Sequence, residues 1–314
     1  MFPPRSQRVG DHLKVRLLNP LKRLSQRNKV LFWMLVPCLA FIFILTIYPT
    51  VYLLFVSLTS YNTMEKGSMK FIGLANFGTF LTDANAWHAF WISMKHVVVT
   101  LSLELVLGTL TAIAAYKLLN KWYSRWLRTI VLLPLMVPSV VTGITWAQLF
   151  SPTNGFFSYL ASKFGLYSVG FLGDASTAFS SLVAIDVWQW TPFIFLMILA
   201  GLEALPAEPY EAASIDGAGR TRTFWSITIP LLKRNFLITI ILKIIFSFKV
   251  WAEIYMTTRG GPGNLTETLN VHIFNVAFVN NNFGYAGALS FVYLIILNVI
   301  LLAFFKALFP KNAV

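Results

Sequence analysis

Apolar residues along this chain do not alternate as in strands, nor do they recur every three or four positions as on half-buried helices. They come in six long runs, near Leu31–Leu58, Ile92–Leu118, Trp126–Phe150, Ala178–Leu202, Phe236–Thr257 and Gly287–Phe309. A bilayer core of about 30 Å needs about 20 apolar residues of helix, because lipid offers no partners to open backbone groups. The pattern predicts an all-α integral membrane protein with six spans. Pro37 and Pro49 interrupt the first run, and Pro134 and Pro138 the third. Helices packed within a membrane tolerate such kinks.

Composition sharpens this picture. Of 314 residues, 57% are hydrophobic and 12% charged, against about 25% charged in ordinary soluble domains. This excludes a disordered chain and a typical soluble enzyme. Cys38 is the single cysteine, so no internal disulfide or cysteine metal site is available.

The net charge of +13 follows the loops. Eighteen Lys and Arg lie before the first run, between the second and third, between the fourth and fifth, and after the sixth, whereas the alternate loops hold four, Lys66, Lys70, Lys163 and Arg259. Basic loops stay in the cytoplasm, which places both termini there. The one-sided distribution also speaks against nucleic-acid binding.

Residues 1–30 read as a basic cytoplasmic segment, and residues 31–314 as the six-span domain. Leu13, Leu17, Leu18, Leu21 and Leu24 stand at helical spacing, so the tail reads as an amphipathic helix on the membrane surface. A disordered basic arm is the alternative. The apolar run that follows is too long for a cleaved signal core.

The loop at about 203–234 is the most informative stretch. Pro209 suits a first helical turn, and Tyr210 to Ile215 can form a short helix. Asp216-Gly217 is a turn signal, with Gly217 free to adopt positive φ. A second helix is expected from Arg220 to Ile229, after which Pro230 breaks or redirects the chain. The result is a compact knob, unless the loop is an ordinary amphipathic connector.

Glu211-Ala212-Ala213, Asp216-Gly217-Ala218, Phe224, Ile227 and Pro230 resemble the EAA loop of binding-protein-dependent ABC importer permeases. The stretches from Thr258 to Leu269 and Asn282 to Ser290, with Phe71 to Phe77 and Leu202 to Pro206, resemble the sugar-type subfamily, whose members include maltose, glycerol-phosphate and oligosaccharide permeases. Arg234 departs from relatives that carry a second proline there. The resemblance implies a type I importer fold with a cytoplasmic coupling helix in the bacterial inner membrane. It also implies a second, different permease subunit, two ATPase subunits binding ATP and Mg, and an extracytoplasmic substrate-binding protein. Glu211, Ala212, Ala213, Asp216, Gly217, Ala218 and Phe224 become the ATPase-coupling residues, with Glu211 pairing a basic residue on the motor. No cofactor is expected on this chain, which has no GxxxxGK[ST] loop.

Ionisable residues within spans are functional candidates. Here they are Glu104, Asp186, Lys243, Lys249 and Glu253. Glu104 can instead bond a neighbouring helix, and Lys249 and Glu253, four apart, can pair on one helical face. Sugars are held by aromatic faces and polar groups. Trp188, Gln189, Lys249 and Glu253 are the chosen substrate-path residues, although Trp and Tyr also form interfacial belts. Lysines facing the pore would suit an acidic substrate, such as a uronate oligosaccharide or a sugar or glycerol phosphate. A neutral oligosaccharide is the alternative. An ion-driven secondary transporter is a competing reading. A membrane enzyme is a weaker one, since no HExxH or GxSxG motif appears.

Overall fold

The computed structural model describes residues 29, 31–64, 69–118, 122–165 and 170–308. The amphipathic tail before residue 29 lies outside the described residues. The chain divides into two compact units, Met1–Val56 and Ser57–Val314.

The first unit carries almost all of α1 (Leu31–Ser57). Pro37 and Pro49 do not end this helix. A π turn, Phe43–Ile47, stands directly before Pro49, and the Tyr48 N–H reaches back to the Phe43 carbonyl. Widening the turn clears the proline ring from the preceding carbonyl.

The second unit holds α2 (Ala75–Thr82), α3 (Ala84–Lys117), α4 (Ser124–Leu132), α5 (Ser139–Leu149), α6 (Phe156–Lys163) and α7 (Ala178–Glu203). The third apolar run does break: Ser124–Met136 and Ser139–Leu149 meet at 94°. Pro134 and Pro138 flank this bend. Two prolines four residues apart remove donors from successive turns, more than one π turn absorbs. Gln189 Nε2 donates to the freed Val137 carbonyl at 2.9 Å.

Beyond α7 come α8 (Glu208–Ile215), α9 (Arg220–Thr223), a π turn (Phe224–Thr228), α10 (Ile229–Ser247), α11 (Ala252–Thr257), α12 (Leu269–Phe274) and α13 (Phe283–Leu308). Pro230 neither breaks nor redirects the chain, contrary to expectation. The π turn precedes it, and the Ile229 N–H bonds to the Phe224 carbonyl. The fifth run, expected as one helix, is interrupted between Ser247 and Ala252.

Among the described residues four helices are long and apolar enough to cross a membrane, or five if the bent pair is one span. The α10 helix carries Lys233, Arg234 and Lys243.

The α3 and α7 helices pack along Ala112, Ile194, Phe195 and Ile198, joined by Leu232 of α10. Gly108 makes the approach possible: a Cβ there would meet Ile194 Cβ at 2.6 Å. Small residues at helix contacts are the usual solution where lipid supplies no hydrophobic drive.

At the opposite end from the knob, Asp83 caps α3, accepting from the Asn85 and Ala86 amides. It also accepts from Tyr285 Oη at 2.5 Å. His272 Nε2 lies 4.0 Å from Asp83 Oδ2, and His272 Nδ1 lies 3.2 Å from Glu267 Oε1. Asn275 Nδ2 donates to the same Glu267 oxygen. Burial pushes the Asp83 and Glu267 carboxyls up, but these donors and His272 outweigh it and hold both below their ordinary range.

Candidate functional site

The knob is built as two helical pieces joined by a tight reversal. Pro209 sits in the first turn of α8, with Glu208 and Glu211 beside it, where acidic groups favour the helix dipole. At the other end the Ala218 N–H bonds to the Ala213 carbonyl and the Gly217 N–H to the Ser214 carbonyl. Gly217 has φ +68°. This is a Schellman closure, in which a left-handed residue satisfies the last free carbonyls. Any other L-residue there carries about 1–2 kcal/mol of strain.

Tyr210 Oη donates to Thr228 Oγ1 at 3.0 Å, tying α8 to the π turn. Ala213 is buried, whereas Glu211, Ala212, Asp216 and Gly217 are exposed and Ala218 and Phe224 half-buried. Ile215 is 87% exposed and Trp225 65%. The knob is thus a braced structure with an apolar tip; sequence reasoning did not single out Ile215 or Trp225.

A second site lies at the break in the fifth run. Residues Phe248 to Trp251 leave the helix, freeing carbonyls that cost about 1–3 kcal/mol each if buried unpaired. Asn270 Nδ2 donates to the Phe248 and Val250 carbonyls at 2.7 and 3.2 Å. Tyr293 Oη donates to Phe248 at 2.5 Å. The break is therefore held by side chains of α12 and α13.

It opens two clefts. One, of about 240 Å³, is lined by Ser139, Trp190, Lys249, Trp251 and Glu253. The other, of about 420 Å³, is lined by Lys249, Trp251, Asn270 and Phe274. Lys249 is exposed and Glu253 buried; Glu253 hydrogen-bonds Ser139. Trp251 stacks on Tyr255 at 5.1 Å between ring centres.

The expected candidates therefore divide. Lys249 and Glu253 share a cleft but form no ion pair among the described residues, because the chain breaks between them and they do not share one helix face. Gln189 is buried and committed to the bend at Val137. Trp188 packs against Trp146 at 5.4 Å, in a group of aromatic rings with Phe150 and Phe157. Trp190 and Trp251 line the cleft instead.

Lys243 does not line either cleft. Its Nζ is wholly buried, 3.0 Å from Glu104 Oε1 and 3.7 Å from Asp186 Oδ2. It also stands 4.7 Å from the centre of the Trp190 ring. His96 Nε2 lies 3.9 Å from the same Asp186 oxygen. One lysine thus joins α3, α7 and α10, and Glu104 bonds a neighbouring helix. Burying these charges is tolerable because they compensate one another.

Long apolar helices, compensated charges in their interior and a braced knob between two of them define a polytopic membrane protein of the transporter type. Residues 105–314 match the family model described as binding-protein-dependent transport system inner membrane component. The chain belongs to this family, the permease subunits of ABC importers.

Among curated relatives, it is 34% identical over 275 residues to the trehalose/maltose transport system permease protein MalF of Thermococcus litoralis, covering 87% of this chain and 91% of that one. It is 33% identical over 248 residues to the sn-glycerol-3-phosphate transport system permease protein UgpA of Agrobacterium fabrum, covering 79% and 83%. Its fold matches a chain in the crystal structure of a bacterial ABC transporter involved in import of the acidic polysaccharide alginate. The TM-score is 0.80 at 20% identity, with 93% of this chain and 99% of that one covered.

Proposed function

We propose that this chain is one of two different membrane-spanning subunits of an ATP-driven importer that carries a carbohydrate, in the bacterial inner membrane with both termini in the cytoplasm. Six spans form its half of the pore, α10 and α11 together counting as the fifth. An extracytoplasmic binding protein delivers the sugar. Two ATPase subunits, which hold ATP and Mg, seat the knob in a cleft, where Glu211 meets a basic residue and Ala212, Ala213 and Ala218 allow close contact. Closure of the motor moves the braced knob as a body and reverses the pore opening. Ligand and nucleotide each favour one state of the pore.

The observation that carries this reading is the braced loop with its exposed apolar tip, on the side that basic residues assign to the cytoplasm. A crosslinker at Ala212, the exposed neighbour of buried Ala213, is expected to capture an ATPase subunit in the assembled transporter. Gly217→Pro, which cannot adopt φ +68°, is expected to abolish ligand-stimulated ATP turnover while the spans still insert. Normal stimulation in that variant, or no capture at Ala212, overturns the coupling role.

Within this reading we propose an acidic sugar, a uronate oligosaccharide, as substrate. Lys249, Trp190, Trp251 and Glu253 form the path: the rings cover C–H faces and the exposed ammonium pairs with a carboxylate. A glycerol phosphate is the second reading, supported by the same cation and by the UgpA relative. Transport of uronate and of glycerol phosphate by Lys249→Met separates the cases. Unchanged transport of both sinks the role of Lys249.

A further inference from the structure

A third cleft lies away from the break, on the knob side. It measures about 550 Å³ and lies between the last turns of α3 and the chain from Ala218 to Thr228. Leu110, Ile113, Leu202 and Phe224 give it apolar walls. Lys117 and Arg220 are the charged residues that line it, with no carboxylate among the described lining residues. Lys117 ends α3, and Arg220 begins α9. Both are exposed.

Apolar walls with a purely cationic rim ask for a ligand that is apolar at one end and anionic at the other. On the orientation proposed above, on which this inference rests, the rim stands where a span meets the cytoplasmic loops, at the headgroup level of the inner leaflet. The volume falls in the range of about 300–1,000 Å³ typical of small-ligand sites, enough for a headgroup and the first part of an acyl chain. Lipid is the molecule of that chemistry already present at that depth, and juxtamembrane Lys and Arg attract anionic headgroups.

We propose that this cleft is a binding site for an anionic phospholipid. The phosphate sits between Lys117 and Arg220, and the acyl chain lies against Leu110 and Ile113. Because Ala218 and Phe224 belong to the knob, the lipid props the coupling segment against α3. The site does not depend on which sugar is carried.

The test uses the assembled transporter in nanodiscs of phosphatidylcholine mixed with phosphatidylglycerol. Native mass spectrometry then counts the phosphatidylglycerol that stays bound after extraction. Two basic contacts, at the energy typical of each near an anionic surface, predict roughly thirtyfold weaker retention in the K117Q/R220Q variant. Ile113→Trp, which fills the cleft from α3 without touching the rim charges, is expected to displace the lipid as well. That variant guards against an effect of Arg220 on ATPase docking. Retention of phosphatidylglycerol by both variants at the wild-type level overturns the proposal. So does a photocrosslinker at Ile113 that captures the second permease subunit rather than lipid.

Discussion

Lys243 and Lys249 are six residues apart in one apolar run, yet they occupy opposite environments. Lys243 is wholly buried between carboxylates on two other helices. Lys249 is exposed in a cleft with tryptophan rings and no ion-pair partner among the described residues. The difference comes from the break between Ser247 and Ala252, which turns the chain away from the helix junction and into open space. A cation that is compensated locks helices together; one that is left free is available to a ligand. Sequence distance, residue type and hydropathy do not separate the two.

The largest effect is expected where compensation is removed. Lys243→Met leaves Glu104 and Asp186 buried without their partner, and breaking a buried ion pair from one side costs about 3–5 kcal/mol. Thermal unfolding of the purified subunit should show a large loss, or the protein should not accumulate. Neutralising all three groups together, with Glu104→Gln and Asp186→Asn added, should recover most of it, because no isolated charge remains. Lys249→Met should leave thermal unfolding near wild type, since no buried partner is stranded. If the two methionine variants unfold alike, the contrast fails.

A smaller effect is expected at the hinge of the comparison. Asn270→Leu removes both donors from the Phe248 and Val250 carbonyls. An unsatisfied buried polar group costs about 1–3 kcal/mol. The variant should fold, lose stability in that range, and bind substrate less well than Tyr293→Phe, which frees only one of the two bonds reaching Phe248. A substrate affinity unchanged in Asn270→Leu would show that the break holds its shape without the clamp.

The same contrast explains what could be read from sequence. The long runs and the loop around Gly217 are local: apolar length dictates a span, and Asp-Gly dictates a reversal. The break is not local. Phe248-Lys249-Val250-Trp251 contains no glycine or proline, and the groups that sustain it, Asn270 and Tyr293, lie 20 or more residues further on. Prolines misled in the other direction. Pro49 and Pro230 promise interruptions, but a preceding π turn accommodates each, whereas Pro134 and Pro138 together produce the 94° bend. Gln189 donates to the bend at Val137 and Trp188 packs on Trp146, contacts that spacing along the sequence does not show. The partner of Lys243 could not be chosen among Glu104, Asp186 and Glu253 until the helices were placed side by side.

A third group of charges, at the helix ends opposite the knob, is partly wetted and should respond to pH rather than to deletion of a single partner. Asp83 and Glu267 both titrate below their ordinary values of 3.8 and 4.5 in the folded chain. A depressed carboxyl means that the unfolded chain binds protons more readily, so folding is favoured at pH above those ordinary values. The contribution is complete at neutral pH, starts to fall as pH drops below about 4.5, and is gone once pH passes below the folded values. Screening by solvent and salt keeps it smaller than the effects above. Comparing thermal unfolding at pH 7 and pH 4 should show a shallower loss in Asp83→Asn/Glu267→Gln than in wild type. Equal acid sensitivity in the two proteins would mean that carboxyls elsewhere carry the response and that the bonds from Tyr285, His272 and Asn275 add nothing to folding.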